Sequence, residues 1–234
     1  NVTQTAGTTV YAANTTGLTV ANANVTLDNA GNNMVGLISV TNVANLALRS
    51  TKLTMNSVTS SGAQVYNSPV VLPANTTFDG TQVTFNQAVN GTGSLTVNGS
   101  AVLNGATITT TDAQSYKGAV TLGVNTVLTS SGAGEIKFAN TLNGAKTLEI
   151  KTTGATIFNG AVGTAVGGAL TSVTTDAGGT VEINGGDVKT TGAQTYGEAI
   201  TLGNHANLRG VNISLKSSVD GNFSLNIIDS GTTI

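Results

Sequence analysis

Cysteine is missing from this chain, so it can build neither a disulfide framework nor a thiolate metal site. Tryptophan is missing too, and aromatic residues fill only 4% of the 234 positions. Any core must therefore be assembled from Val, Leu, Ile and Ala. Charge is scarce: Asp, Glu, Lys and Arg together make up 9%, against the usual quarter. Thr, Asn, Ser and Gly must then cover the surface. Net charge is −2, with both signs scattered singly. This excludes a nucleic-acid partner, which would select a basic stripe, and it leaves no polybasic patch for an anionic membrane. No apolar run approaches the roughly 20 residues of a spanning helix, so no membrane insertion is expected of this segment. Yet apolar residues reach 39%, too many, with too little net charge, for a disordered chain. Asn1 opens the sequence without Met or a signal peptide, and reads as the start of a processed or excised segment. Sequons such as Asn24-Val-Thr and Asn212-Ile-Ser are expected by chance in a chain so rich in Asn and Thr.

What the chain does have is repetition. TTGAQTYGEAITLG at 190–203 and TTDAQSYKGAVTLG at 110–123 agree at nine of fourteen positions, and SSGAQVYNSPVVLP at 60–73 is a weaker third copy. A second pattern runs through FNQAVNGTGSLTV from Phe85, FANTLNGAKTLEI from Phe138 and LKSSVDGNFSLNI from Leu215, with a looser copy, FNGAVG, at Phe158. Its skeleton is two apolar residues four apart, a Gly two further on, then an alternating apolar pair. Phe85 to Leu103, Phe138 to Phe158 and Phe158 to Ile183 are separated by 18, 20 and 25 residues. A unit of about 20 residues with variable loops lies in the solenoid range.

Short apolar–polar alternations such as Leu95-Thr-Val97, Leu148-Glu-Ile150 and Val181-Glu-Ile183 predict strands with one buried face. Asn-Gly pairs at 90–91, 98–99, 104–105, 143–144, 159–160 and 184–185, and Asp-Gly at 79–80 and 220–221, punctuate them as turns that tolerate a left-handed backbone. Such turns also mark hairpins, but three- to five-residue strands in a recurring unit favour a parallel β-helix. There each rung pairs with the next and extends one continuous apolar core, and equivalent residues are expected to stack, with Asn or Thr forming ladders. The expected fold is all-β: one solenoid segment over 1–234, with clear repeats at 60–234 and weaker ones at 1–59.

GAQTYGEAITLG, FNGAVG and SVTTDAGGTVEINGG together resemble the β-strand repeats of large bacterial surface proteins, the filamentous-haemagglutinin-like and autotransporter-like adhesins. The resemblance covers about 60–234 and implies a right-handed parallel β-helix carried outside a Gram-negative cell. The work expected of such a segment is structural and adhesive: a rigid rod that engages other cells, surface glycans, matrix polysaccharide or copies of itself. The stretch Gly231-Thr-Thr-Ile234 reads as the start of a new rung, so the end is expected to meet more of the same chain or a second subunit head to tail.

β-Helices also include enzymes and phage tailspikes that act on polysaccharide, so the acids need reading. Glycoside hydrolysis needs two facing carboxylates. Glu182 and Asp187 flank Gly185-Gly186, and Asp112 and Asp187 are candidates to meet between rungs; the preferred reading is solvated acids beside turns. A lyase would want Arg or Lys among clustered acids, and Arg49 and Arg209 have none near them in sequence. His205, the single histidine, lies in GNHANLRG, which reads as a loop, and no GxSxG elbow accompanies it. Calcium held by carbonyls with Asp176 or Asp187 is the weak metal alternative. GTAVGG at 163–168 lacks the Lys of a phosphate loop. Tyr66, Tyr116 and Tyr196 recur at one motif position: either a carbohydrate platform or, as preferred, an aromatic stack filling a corner. Thr107-Ile-Thr109 hints at an ice-binding array but is not periodic. No catalytic, cofactor or metal residue is therefore assigned. Besides the polysaccharide-acting class, a surface-layer or sheath protein of β-sandwich domains stays open.

Overall fold

The computed structural model describes every residue except 1, 6, 7, 13, 15, 35 and 232–234. Within it the chain is built of short strands with no helix among the described residues, and the strands pair parallel, turn upon turn, in a β-solenoid of about 11 turns about 19 residues apart. From Ala63 on, a turn typically lays down three strands, and the molecule has three faces. On face 1, Ala63–Tyr66 carries Gln82–Phe85, which carries Ser100–Leu103 and then Val120–Leu122. On face 2, Val70–Leu72, Val89–Gly91, Thr107–Thr110, Thr126–Ser130 and Thr147–Thr152 follow one another. On face 3 the order is Thr76–Asp79, Leu95–Val97, Gln114–Tyr116, Ile136–Phe138 and Ala155–Phe158. Parallel pairing of this kind needs a crossover between partners, and here the other two faces are that crossover.

Alternation decides which side chains enter. Strand after strand reads buried–partly exposed–buried, as in Val70–Leu72, Leu95–Val97 and Ile136–Phe138. Because the register is kept, the inward residues form vertical columns: Phe78, Val97, Tyr116, Phe138, Phe158 and Ile183 lie one above another inside face 3. The rings of Tyr116, Phe138 and Phe158 stack at 5.4 and 5.5 Å, with planes within 11°. The sparse aromatics are thus concentrated in the interior, where each buries the most apolar area. The 18-, 20- and 25-residue spacings read from the sequence are all true registers: Phe85 pairs with Leu103, Phe138 with Phe158 and Phe158 with Ile183.

Two expectations need correction. Equivalent motif residues do not stack on one another. Gln64-x-Tyr66 lies on face 1, Gln114-x-Tyr116 on face 3 and Gln194-x-Tyr196 on face 2. The second motif rotates as well, starting on face 1 at Phe85, face 3 at Phe138 and face 2 at Leu215. The recurring sequence unit therefore spans about two strands with their corners and can begin on any of the three faces. Second, most of the Asn-Gly and Asp-Gly glycines are not left-handed; only Gly144 and Gly221 have positive φ, at 130° and 120°. The others are small because the turn below is too close. A Cβ on Gly99 would lie 1.9 Å from Gly80 O, and one on Gly105 would lie 2.1 Å from Gln87 O.

The expected Asn ladders are present. Asn104 Nδ2 donates to Asn86 Oδ1 at 2.7 Å, Asn86 donates to Asn67 in the same way, and Asn67 Nδ2 donates to Asp28 at 2.8 Å. A second ladder joins Asn184 to Asn159, and a third joins Asn226 to Asn207 and Asn207 to Asp187. The weak repeats at 1–59 have a local reason. Thr16–Leu27 and Leu37–Leu48 are twelve-residue strands that bend without breaking, with register shifts and left-handed residues Asn22 and Asn42 at φ 51° and 57°. Their corners need no Gly-rich turn, and the motif is lost.

Candidate functional site

The thrice-copied motif builds an interior corner. Gln114 Nε2 donates to Thr110 Oγ1 at 3.2 Å and to Thr129 O of the next turn at 2.9 Å, and its Oε1 accepts from Tyr116 Oη at 3.1 Å. Thr110 Oγ1 in turn donates to Asp112 O at 2.7 Å, closing the corner. Gln194 repeats every contact with Thr190, Arg209 O and Tyr196, and Thr190 closes on Gly192 O. Gln64 does the same with Ser60, Asp79 O and Tyr66, and Ser60 with Gly62 O. The full pattern is Ser/Thr, three residues, Gln, one residue, Tyr. All three Gln and all three Tyr are 0% exposed. The tyrosines therefore cannot be a carbohydrate platform. Burial raises all three phenols above their ordinary value of 10.0, so the hydroxyls stay protonated as donors.

The acids weighed in the sequence do not converge. Glu182 points outward from face 3 and accepts from Asn184 Nδ2 at 3.3 Å, whereas Asp187 belongs to face 1 and accepts from Asn207. Asp112 lies several turns from Asp187, beside the Thr110 corner, so this pair does not meet between rungs. Arg49, isolated in sequence, pairs with Asp28 across one turn at 2.8 Å. Arg209 shares a hollow of about 220 Å³ with Lys189, Asp187 and Thr164. His205 is in the exposed loop before Ala206–Gly210. Its Nδ1 accepts from Ser224 N at 3.1 Å and meets Ser224 Oγ at 2.7 Å, and its ring sits edge-on to Phe223. The Thr107–Thr109 row is broken by its neighbours Asn90 and Val127. Among the described residues, no three of His, Asp and Glu gather where they could hold a metal ion.

The carboxylates that do meet are Asp176 and Glu198, on successive turns at the corner between faces 2 and 3. Glu198 is 3% exposed and neither of its carboxyl oxygens meets a hydrogen-bond donor. Burial, reinforced by the facing Asp176 carboxyl, pushes its pKa up to about 8. The sequence held one signal for it: the copies that carry Glu198 elsewhere have Ser68 and Gly118 at that position. On the outer surface, Val71, Pro73, Asn90, Thr92, Thr109 and Ser131 line an open groove of about 510 Å³ that crosses four turns. Comparison with known protein families, with curated proteins and with solved structures finds no match to this chain.

Proposed function

We propose that this chain is a non-enzymatic structural and adhesive rod segment of a Gram-negative bacterial surface, working outside the cell as the filamentous-haemagglutinin-like and autotransporter-like adhesins it resembles do. One observation carries the reading. The thrice-copied Ser/Thr–Gln–Tyr set faces inward and holds turn to turn. Repetition here serves stiffness. A stack with a continuous apolar core, few charges and interlocked corners suits a load-bearing, protease-resistant segment.

Association along the axis fits the same reading. On the last described turn Val219, Phe223, Ile227 and Ile228 are 37–46% exposed. Ile227 pairs below with Leu208, which is fully buried under it. A further parallel strand, from the same polypeptide or from a second copy, would cover this edge as each turn covers the one before. Electron microscopy of native material tests the reading. Filaments much longer than about 11 rungs, with rungs across the axis, support it; compact particles cleaving or releasing polysaccharide overturn it.

A second reading, polysaccharide binding, rests on the groove. Its hydroxyls and amide at Thr92, Thr109, Ser131 and Asn90, over an apolar floor of Val71 and Pro73, suit an extended glycan lying along the axis. Retention on a panel of immobilised glycans, lost in Thr109→Trp, supports this reading, and absence of retention removes it.

A further inference from the structure

Hydroxyls make the corner between faces 2 and 3. Thr110 Oγ1 and Ser130 Oγ donate to Asp112 O at 2.7 and 2.9 Å, and Thr152 Oγ1 donates to Gly134 O at 2.8 Å. Ser130 and Thr152 are in direct register. Glu198 occupies the matching place higher up, two residues beyond Tyr196, as Thr152 is two beyond Ile150. An ionised carboxylate only accepts, so it cannot do what those hydroxyls do. Nor does anything donate to it: both its oxygens are buried and unpartnered. The group that reaches it is the Asp176 carboxyl, fixed from below by Thr152 N–H at 3.1 Å on Oδ1. Glu198 is buried and the Asp176 carboxyl facing it only partly exposed, so the two cannot both ionise without repulsion.

We propose that Asp176 and Glu198 share one proton and form a pH-operated latch, which clamps the corner when the proton bridges them and releases it when the proton leaves. Among the described residues no ion pair reaches Glu198. Lys216, on the strand above, is level with Gly197, an outward position, and is exposed. Glu182 on the neighbouring face points outward to Asn184, Thr152 below is neutral, and Tyr196 on the same strand is engaged by Gln194. The latch goes beyond the structural reading: it makes the stiffness of the last turns depend on acidity.

The direction follows from linkage. Glu198 keeps in the folded chain, up to about pH 8, a proton that it would otherwise lose near 4.5. The stability it contributes is full below 4.5, declines as pH rises through that window, and is gone above about 8. The test follows thermal unfolding of the whole chain, and amide exchange at Gly197, from about pH 5 to about pH 9. The Gly197 N–H bonds Thr175 O and Oγ1, both at 3.3 Å, across the latched corner. In the wild type the melting temperature is expected to fall by several degrees over this range, and exchange, corrected for its intrinsic rate, to rise about tenfold or more. Glu198→Gln, whose amide donates to Asp176 at every pH, is expected to flatten both. Should that variant not fold, Asp176→Asn removes the facing charge and must shrink the slope. The wild-type slope persisting in either folded variant overturns the latch. So does calcium chloride restoring the wild type at about pH 9, because a metal would then be the occupant.

Discussion

At the scale of the residue, the Gln–Tyr pair is an all-or-nothing device. Gln114 has both amide hydrogens and its oxygen engaged in the interior, so removing one partner strands another. Tyr116→Phe leaves Gln114 Oε1 without a donor and is expected to lower unfolding stability by about 1–3 kcal/mol. Combining it with Gln114→Leu should cost less than the sum of the two singles, a coupling that denaturant unfolding of the four variants would read. The raised phenol pKa values add a pH signature. The folded chain holds protons that the unfolded chain releases near 10.0, so stability should drop as pH climbs above that value, and less so in the Tyr116→Phe variant. The importance of Gln and Tyr was legible from their triple recurrence. The third member, Ser60, Thr110 or Thr190, was not, because hydroxyls are the commonest residues here and one more carries no signal. Asp176 and Glu198 were hidden for a different reason: a pair 22 residues apart becomes a pair only when the register between turns is known.

Elements here are columns rather than strands. The Tyr116–Phe138–Phe158 column is one aromatic stack of the core, and Phe138 has a ring above and a ring below it. Phe138→Ala should cost about 3–5 kcal/mol, through lost transfer energy plus the cavity that two stacked neighbours cannot collapse to fill. The Asn ladders are half-exposed, so Asn86→Ala, which breaks two of their bonds, should cost only about 1–3 kcal/mol in the same measurement. Contrast at glycine is sharper. Gly99→Ala introduces a Cβ 1.9 Å from a backbone oxygen that cannot move alone, so two turns must separate locally, and the melting temperature should fall more than for Asn86→Ala. The vertical spacings were readable because Phe, Leu and Asn mark successive turns of one column. The reason for the glycines was not, since Asn-Gly looks the same whether the glycine turns the backbone or makes room for the turn below.

Taken whole, the chain is a stack whose rungs must repeat at about 4.8 Å along the long axis. Oriented filaments should diffract at that spacing on the meridian, and a β-sandwich assembly would not. The parallel solenoid was legible from short strands, punctuation and period; the assignment of strands to faces was not, because an alternation of two reads identically on all three. That ambiguity is also a freedom. Since the motif serves on any face, gaining or losing one strand with its corner keeps the alternation of inward and outward residues, yet rotates all that follows by about a third of a revolution. A short insertion near the start of such a rod would leave its stiffness intact and swing the groove, or any other outward feature downstream, to a new compass bearing.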